Sequence, residues 1–339
     1  MPKKPRVAVV GATGLVGREI LKLLHDRDFP AAQVVPFASA RSAGEDILFG
    51  NRTLKVEELT REGLVNQCDI ALCSAGRNVS YDIRKWVEGT DVVVVDNSSA
   101  FRMAPDVPLV VPEVNPEDAR YHKGYIANPN CSTIQLVVAL HPLQRHFGLK
   151  RVVVSTYQSV SGAGNRGVEE LSQQSIALFN GSTLKNEIFP KRIAFNVIPH
   201  IGPFDEAGYT EEEMKVTHET RKILALPKLG ISCTAVRVPV FASHSEAVTV
   251  DLDKPADVPG VRAVLAEQPG ILLMDNPAEG VYPTPADAVG RPEIFVGRIR
   301  SDLSGTNAFH FWVVADNLWK GAALNAVQIA ELLVDKDWL

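Results

Sequence analysis

One cysteine of this chain lies where a thiol could do covalent chemistry. Cys131 follows Asn128-Pro-Asn130 and opens an apolar run that continues to Leu140. Because Pro129 disfavours helical geometry at the residue before it, we expect a helix to begin at Cys131. First-turn N–H groups and the positive end of the helix dipole would stabilise a thiolate there. The alternative is that Cys131 is a small buried apolar residue.

The other three cysteines fit that alternative because they lie in or beside apolar strands: Cys68, Cys73 and Cys233. Their spacing matches no zinc-binding pattern, and the eight histidines form no H-E-x-x-H pair. We therefore expect reduced thiols, no metal and a cytoplasmic location.

Length and charge exclude other classes of protein. A chain of 339 residues exceeds what one hydrophobic core usually serves, so we expect about two domains. The net charge of −5 argues against a nucleic-acid partner. After the basic start at Lys3, only five apolar residues precede Gly11, too few for a signal peptide or a membrane span.

The first third of the chain alternates strand-like and helix-like runs. Apolar runs predict the strands Arg6–Val10, Gln33–Ala38, Asp69–Cys73 and Asp91–Val95, with helices over Arg18–Asp26 and Tyr81–Val87. Unbroken apolar strands that alternate with helices indicate a parallel sheet covered on both faces. The predicted fold class is α/β, with a doubly wound (Rossmann-like) domain over roughly the first 125 residues.

The pattern of strand-like runs and loops changes after Cys131. The next strand-like runs are richer in β-branched residues and are separated by longer loops: Arg151–Thr156, Ala235–Phe241, Ala247–Leu252 and His310–Val314. They predict an α+β second domain with a mostly antiparallel or mixed sheet. The segment Asp316–Asp335 has an apolar stripe at helical spacing and is predicted to be a helix.

Two glycine-rich loops are candidates for binding the cofactor. Gly162-Ala-Gly-Asn-Arg-Gly167 matches G-x-G-x-x-G by letter, whereas Gly11, Gly14 and Gly17 form G-x-x-G-x-x-G. Only the Gly11–Gly17 loop lies between a strand and a helix of a βαβ unit, where a pyrophosphate binds. The alternative is a simple tight turn. We expect the second loop to approach the cofactor or substrate from the other domain.

The residues after the second strand bear on which dinucleotide binds. An NAD-binding protein places an acid there, but this chain has Ser39-Ala-Arg41-Ser42 and no acid before Glu45. A guanidinium flanked by hydroxyl groups suits a 2′-phosphate, which favours NADP(H) over NAD. The alternative is a solvated loop arginine.

A nicotinamide cofactor strengthens the covalent hypothesis for Cys131. Hydride transfer at the acyl level requires a carbonyl bound to the enzyme, and a thiolate can attack it, hold it as a thioester and leave again.

Taken together, the motifs resemble those of the aspartate-β-semialdehyde dehydrogenases over nearly the whole chain. Their order and spacing carry the resemblance: Gly11–Gly17, Ser98–Arg102, Asn128–Cys131, Tyr157–Gly164, Glu212 with Lys215, and Arg237 with His244. The resemblance implies NADPH-dependent conversion of L-aspartyl-4-phosphate to L-aspartate 4-semialdehyde with release of inorganic phosphate. The product feeds lysine (diaminopimelate), methionine and threonine biosynthesis, and the family implies a homodimer or larger assembly.

The resemblance also implies roles for individual residues. Cys131 is the nucleophile, Gln158 orients the acyl group and His244 is the general acid/base. Phosphate is held by Arg102 and Lys215, and the substrate carboxylate and amino group by Arg237 and Glu212. The remaining implied site residues are Asn130 for substrate and, for the cofactor, Gly11, Thr13, Gly14, Leu15, Val16, Ser39, Arg41, Ser42, Ala75, Gly76, Ser161 and Gly162.

Each role has a plainer alternative. Glu212 and Lys215 have the spacing of a solvated ion pair on a helix that Thr210 begins. Arg102 follows a polar loop and has the alternative of a surface arginine. His244 lies seven residues after Arg237, so in one unbroken strand the two would face opposite sides. They can meet only if the chain turns or bulges before His244.

The same resemblance implies a domain division of 1–129 with 317–339, and 130–316, with the terminal helix covering the cofactor domain. The nearest rival function is N-acetyl-γ-glutamyl-phosphate reductase, whose acetylated substrate does not need an acid such as Glu212. Two further rival functions are a non-catalytic NADP-sensing protein and a cysteine hydrolase.

Overall fold

The structure, a computed structural model, describes residues 4–339, which form two compact units. One contains residues 4–130 together with 322–339, and the other contains residues 131–321. Each is described separately.

The first unit is built on a six-stranded parallel sheet with the strand order β5-β2-β1-β6-β7-β8. Its strands are β1 (Arg6–Val10), β2 (Gln33–Ala38), β5 (Glu57–Glu58), β6 (Ile70–Cys73), β7 (Val93–Asp96) and β8 (Tyr125–Ala127). A separate hairpin pairs β3 (Asp46–Phe49) with β4 (Arg52–Lys55). The predicted doubly wound α/β class is confirmed. The strand order reverses between β1 and β6, so their carboxyl ends border the crevice that nucleotides use in such sheets.

Four helices belong to this unit: α1 (Leu15–Asp26), α2 (Arg61–Gln67), α3 (Arg77–Val87) and α9 (Leu324–Asp335). The terminal helix α9 packs against α1, β6 and β7. The predicted helix over Asp316–Asp335 has the right end, but its start is wrong. The Asp316 carboxylate accepts the backbone N–H groups of Leu318 and Trp319, and a turn of π-helix over Trp319–Ala323 comes before α9.

The second unit contains a mixed six-stranded sheet in the order β10-β9-β11-β14-β13-β12. Its strands are β9 (Leu149–Gln158), β10 (Gly230–Arg237), β11 (His244–Leu252), β12 (Ile271–Leu273), β13 (Ile294–Ser301) and β14 (Ala308–Ala315). The two outer pairs, β10 with β9 and β12 with β13, are parallel, and the pairs between them are antiparallel. This confirms the prediction of a mixed sheet.

Five helices accompany that sheet: α4 (Cys131–Phe147), α5 (Asn165–Phe179), α6 (Glu211–Ile223), α7 (Val258–Glu267) and α8 (Pro285–Ala288). Eleven of the 17 residues of α4 are buried, because the helix packs against four strands and against α6 and α7. This central position fixes the N-terminus of α4, where Cys131 lies.

One predicted strand boundary is wrong in an informative way. The pattern Ala235–Phe241 is typical of a strand, but β10 ends at Arg237. Pro239 lacks an N–H and cannot continue a sheet ladder. The chain instead turns, with Val240 N–H donating to the Val238 carbonyl, and β11 begins at His244.

Within residues 4–339, no helix is long and apolar enough to cross a membrane. Over the same residues, His, Cys, Asp and Glu side chains do not gather in groups of three that could hold a metal ion.

One strand of the sheet in the second unit carries a buried acid. Glu246 of β11 is fully buried, and among residues 4–339 neither carboxylate oxygen has a hydrogen-bond partner of normal geometry. Gln135 of α4 lies beside it. Burial raises the pKa of Glu246 well above its ordinary value, because ionisation would place an unsolvated charge in the core.

We expect Glu246→Gln to stabilise the protein more at pH 9 than at pH 5. A raised pKa means that the acid is tolerated while protonated and destabilises the fold as the pH rises and it ionises. Thermal midpoints at both pH values test this, at roughly 2–4 °C for each kcal/mol recovered. Glu170→Gln is the matched control and should lower both midpoints, because Glu170 accepts three backbone N–H groups. An equal shift at the two pH values for Glu246→Gln would contradict the argument.

Candidate active site

Cys131 is the first residue of α4 and is only partly buried. The predicted helix start is therefore correct, and the positive end of the α4 dipole lies at the thiol. A Cβ on Gly321 would lie 2.9 Å from the Cys131 Cβ, so the chain passes very close to the cysteine there.

The other three cysteines are buried, as predicted. Burial raises the pKa of Cys68 to about 12 and raises those of Cys73 and Cys233 as well. These thiols stay protonated at neutral pH, so Cys131 is the cysteine suited to nucleophilic chemistry.

Arg237, the last residue of β10, carries a buried guanidinium. Its Nη1 donates to the Ser159 carbonyl at 2.7 Å, and its Cζ lies 6.0 Å from the centroid of the Phe189 ring. Burial lowers the pKa of Arg237, while the charges of Glu212 and Cys131 act in the opposite direction. Because an arginine stays charged in proteins, this group is a cation held ready for an anion.

Phe189 is itself held by α5. The Glu170 carboxylate accepts the backbone N–H groups of Glu187, Ile188 and Phe189 at 2.8, 2.6 and 3.3 Å. This helix was not predicted from the sequence, yet it fixes the ring against which the Arg237 guanidinium rests.

His244, the first residue of β11, is fully buried. Its Nδ1 lies 3.0 Å from the Ser159 backbone nitrogen and 3.1 Å from the Ser159 Oγ. Burial, together with the Arg237 charge, lowers the pKa of His244 to about 3. The imidazole is therefore neutral at physiological pH.

The turn that the sequence required between Arg237 and His244 is present. Ser243 has a φ of +70°, a left-handed conformation at which the chain changes direction. This turn allows Arg237 and His244 to serve one site although they are only seven residues apart.

Gln158, Glu212 and Lys215 form a connected row. Gln158 Nε2 lies 3.3 Å from Glu212 Oε1, and Glu212 Oε2 lies 3.5 Å from Lys215 Nζ. The predicted capping box of Thr210 and Glu213 begins α6 and presents this row. The alternative of a fully solvated ion pair does not apply, because Glu212 is 7% exposed.

Gly162 brings these groups together by lacking a side chain. A Cβ there would lie 2.8 Å from Arg237 Nη1 and 3.3 Å from His244 Nε2. Gly162 therefore borders both residues, and the loop that matches G-x-G-x-x-G by letter lies beside Arg237 and His244.

The first unit carries the other glycine loop. Gly11 has a φ of +80°, and a Cβ on it would lie 2.5 Å from the Ser74 carbonyl oxygen. Gly14 caps α1 without a side-chain hydrogen bond, which leaves the N–H groups of the first turn for an anion. Thr13, Leu15 and Val16 belong to the same turn.

The remaining predicted cofactor residues of this unit follow β2 and β6. Ser39 and Arg41 are exposed and Ser42 is buried, within a short 3₁₀ turn after β2. Ala75 and Gly76 follow β6, and Gly76 caps α3. Since carboxyl ends of parallel strands share one edge, all these residues lie on the edge that carries the Gly11 loop.

Arg102 is not a surface arginine. It is 8% exposed, and its guanidinium donates to the carbonyls of Asn128 and Asn97 at 2.9 and 2.7 Å. The Asn128 side chain is held in turn by Asn97 and Asn325. This network fixes the Asn128–Asn130 segment, whose Asn130 is buried.

Two residues of the site were missed by sequence reasoning. Ser159 lies inside the Tyr157–Gly164 motif but received no role there. Asn317 follows β14, and its side chain bonds to Ser159, Ser161 and Ser243. No local pattern distinguishes it, because its partners are more than seventy residues away in the chain.

Comparison with known proteins shows the family to which the chain belongs. Residues 6–122 match the family model described as semialdehyde dehydrogenase, NAD binding domain, and residues 140–320 match semialdehyde dehydrogenase, dimerisation domain. Aspartate-semialdehyde dehydrogenase of Aquifex aeolicus is 52% identical over 97% of this chain and 98% of its own. The chain belongs to the aspartate-semialdehyde dehydrogenase family.

Solved structures agree as well. Vibrio cholerae aspartate semialdehyde dehydrogenase II, complexed with ASA, is 44% identical with a TM-score of 0.94, covering 98% of this chain and 99% of that one. The Candida albicans enzyme with NADP is 26% identical with a TM-score of 0.76, covering 99% of this chain and 100% of that one. The family membership makes this chain an NAD(P)-dependent oxidoreductase of amino-acid biosynthesis.

We expect Gly162→Ala to lower kcat/KM by about 10- to 100-fold without unfolding the protein. The new methyl group must displace the Arg237 guanidinium, and misplacing a binding group by about 1 Å can cost that much. Steady-state kinetics with thermal melts test this. Gly230→Ala is the matched control, since a Cβ there meets only ordinary contacts of 3.7 Å or more. Unchanged kinetics in Gly162→Ala would show that Gly162 does not border the reacting groups.

Proposed function

We propose that the chain converts L-aspartyl-4-phosphate to L-aspartate 4-semialdehyde with NADPH, through a thioester on Cys131. The observation that carries this proposal is the buried cluster of Arg237, His244, Gln158 and Glu212 in the unit whose central helix begins at Cys131. We expect the reaction to take place in the cytoplasm and to serve lysine, methionine and threonine synthesis. The four cysteines, all free thiols, support a reducing compartment.

In the acyl-transfer step, the Cys131 sulfur attacks the acyl carbon of the substrate. A C–S bond forms, the acyl C–O bond to phosphate breaks, and phosphate leaves with that electron pair. The product is an aspartyl thioester. NADPH, when bound, supplies a hydride to the same carbon. Collapse of the tetrahedral oxyanion then breaks the C–S bond, which releases the aldehyde and returns the thiolate.

Gln158 and His244 act on the acyl oxygen in this proposal. Gln158 is buried, and its amide is oriented by Glu212 and Thr156, each 3.3 Å from Nε2. We assign the general acid/base role to His244, whose neutral imidazole is fixed by Ser159. Preorganised donors of this kind stabilise charge that develops in the transition state.

Recognition of the aspartyl group falls to Arg237 and Glu212. The guanidinium can bind the α-carboxylate as a planar fork, and the Glu212 carboxylate can pair with the α-ammonium group. The burial of both side chains supports this, because charge pairing is stronger where water is excluded. An N-acetylated substrate has no ammonium group for Glu212, which disfavours N-acetyl-γ-glutamyl phosphate.

Arg102, Lys215 and Asn130 complete the substrate residues. We assign Arg102 and Lys215 to phosphate, since both are cations, and Asn130 to the substrate contacts beside Cys131. Arg102 is preorganised by two backbone carbonyls.

The first unit fits an NADP cofactor. The close packing at Gly11 and the uncapped start of α1 form a cradle that a pyrophosphate can fill. Arg41, exposed in the turn after β2, would bind the 2′-phosphate between Ser39 and Ser42. Ala75 and Gly76 would line the same edge, and we also assign Ser161 and Gly162 to the cofactor.

We propose that the chain works as a homodimer through the second unit. The face of its sheet opposite α4 leaves Tyr157 39% exposed and contains a cavity of about 490 Å³ lined by Thr249, His310 and Trp312. A second copy can cover this face. Light scattering should give twice the chain mass, and Trp312→Asp should favour the monomer. A monomeric wild type would contradict this assignment.

The proposed function is tested by NADP reduction with aspartate semialdehyde in the presence and absence of phosphate. We expect that reduction beyond the first turnover requires phosphate, and that all reduction is abolished in Cys131→Ser, because an alcohol is a far weaker nucleophile near pH 7. N-acetylglutamate semialdehyde is the comparison substrate. Faster turnover of that compound would favour the rival reductase, and cofactor binding without turnover would favour a sensor.

Arg41→Ala should weaken NADP binding about 10-fold or more while sparing NAD. Only NADP carries the 2′-phosphate that the guanidinium would bind. Calorimetric titration with both cofactors tests this, with Arg52→Ala as an exposed-arginine control elsewhere in the same unit. Equal losses for the two cofactors would show that Arg41 does not contact the 2′ position.

In the direction that consumes aldehyde and phosphate, Arg102→Ala and Arg237→Ala should raise the KM for different substrates. The first should raise the KM for phosphate and the second the KM for the aldehyde, by a factor of roughly 30 to 1000, since losing a desolvated charged contact costs about 2–4 kcal/mol. Arg→Lys should also impair either site, because a point charge cannot replace the planar fork. Saturation curves for both substrates provide the measurement. Equal increases in both constants for both variants would contradict the assigned roles.

A further inference from the structure

Asn317 joins the two segments that hold His244. Its Oδ1 accepts the Ser243 backbone N–H at 2.9 Å and lies 3.1 Å from the hydroxyls of Ser159 and Ser161. Ser243 precedes His244 in the left-handed turn, and Ser159 follows β9. Asn317 is 3% exposed. A single buried amide thus connects both flanks of the imidazole.

The direction of each hydrogen bond in this cluster can be assigned. A backbone N–H can only donate, so the Asn317 oxygen must face Ser243, and the amide nitrogen then donates to Ser161 Oγ at 2.9 Å. Since Ser161 Oγ accepts from the amide, its own proton is donated to Ser159 Oγ, 3.0 Å away. The Ser159 hydroxyl donates in turn to His244 Nδ1 at 3.1 Å, because that nitrogen also accepts the Ser159 backbone N–H and is unprotonated.

The tautomer of His244 follows from the same argument. The Ser159 backbone N–H donates to His244 Nδ1 at 3.0 Å, so Nδ1 is unprotonated in the neutral ring and Nε2 carries the hydrogen. Within residues 4–339, Nε2 has no hydrogen-bond partner. It borders Gly162, where a Cβ would lie 3.3 Å away. The N–H of the ring is therefore left for a ligand.

We propose that Asn317 is a positioning residue for His244, which it holds through Ser243 and Ser159 as the tautomer whose Nε2–H is directed into the site. The catalytic use of that hydrogen, as a donor to the acyl oxygen, rests on the proposed function. The assignment of the tautomer does not. Asn317 acts here through its neighbours.

The charged groups around the His244 ring determine how a new charge at position 317 would change the pKa of the imidazole. Arg237 of β10 disfavours the imidazolium, and Cys131 and Glu212 act on Arg237 in turn. Glu246 lies two residues along β11. Asp316, beside Asn317, has its carboxylate on the N–H groups of Gly290, Leu318 and Trp319.

Asn317→Asp therefore provides a sharp test. A carboxylate keeps the Ser243 N–H as a donor and can accept both serine hydroxyl protons from 3.1 Å. The Ser159 oxygen then becomes an acceptor that faces Nδ1, and the new negative charge lies one hydroxyl away from the ring. Such a charge should raise the pKa of His244 by about 1–3 units. Asn317→Leu removes the oxygen and should release the ring from a single tautomer.

The experiment is ¹⁵N NMR of the full-length protein labelled on histidine, without substrates, with the His244 signals assigned from a His244→Asn variant. We expect wild type to show one protonated Nε2 and one unprotonated Nδ1 at pH 7. Asn317→Asp should titrate at least one unit above wild type, and Asn317→Leu should populate the Nδ1–H form. Gln144→Glu is the charge control, because its oxygen also accepts a backbone N–H, but about 20 Å along α4 from Cys131.

Two results would overturn the proposal. One is an Asn317→Asp protein whose His244 titrates no higher than in Gln144→Glu, including no titration above pH 4. The other is a folded Asn317→Leu protein that keeps the Nε2–H tautomer alone. Because neither readout uses substrate, failure here is separate from failure of the phosphate-dependent assay. If the proposal holds, Asn317→Leu should also lower kcat at least 10-fold while the KM for phosphate changes little.

Discussion

The burial of the Arg237 guanidinium is the constraint on which the second unit depends. A buried cation is costly unless it is paired and hydrogen-bonded. Here the Ser159 carbonyl and the charge of Glu212 offset that cost, and the Phe189 ring supports the guanidinium. Gly162 has no side chain because the guanidinium occupies that space. Burial, together with the same positive charge, lowers the pKa of His244 and keeps its imidazole neutral. A recognition cation and a neutral imidazole are therefore consequences of one arrangement.

Helix and strand ends provide the other organising feature. Cys131 begins α4, Arg237 ends β10 and His244 begins β11. Residues at such ends have backbone groups outside the regular ladder, so they can turn side chains into a common space while the element itself stays in the core. The rigid elements, α4 above all, set the positions, and the chemistry lies at their ends. The first unit follows the same rule, because its glycine loop lies at the carboxyl end of β1.

Much of this could be predicted from the sequence, for identifiable reasons. Unbroken apolar runs indicated the strands around β1 and β6, and Pro129 marked the start of α4. The meeting of Arg237 and His244 could be stated only as a condition, since it depends on the Ser243 conformation and on Pro239 ending β10. The roles of Asn317 and α5 could not be predicted from the sequence. The role of Asn317 comes from partners far along the chain. Helix α5 buries the polar Glu170 and Gln174 and exposes Ile176 and Phe179, which is the reverse of the usual amphipathic pattern.

The central claim is that Cys131 carries the acyl group. It is tested most directly by incubating the protein with aspartate semialdehyde and NADP without phosphate, quenching in acid and measuring peptide masses. The account predicts an aspartyl group on the Cys131 peptide, released by hydroxylamine, in an amount that matches the NADPH formed in the first turnover. NADPH formation with Cys131 unmodified, or an acyl group on a different residue, would contradict it.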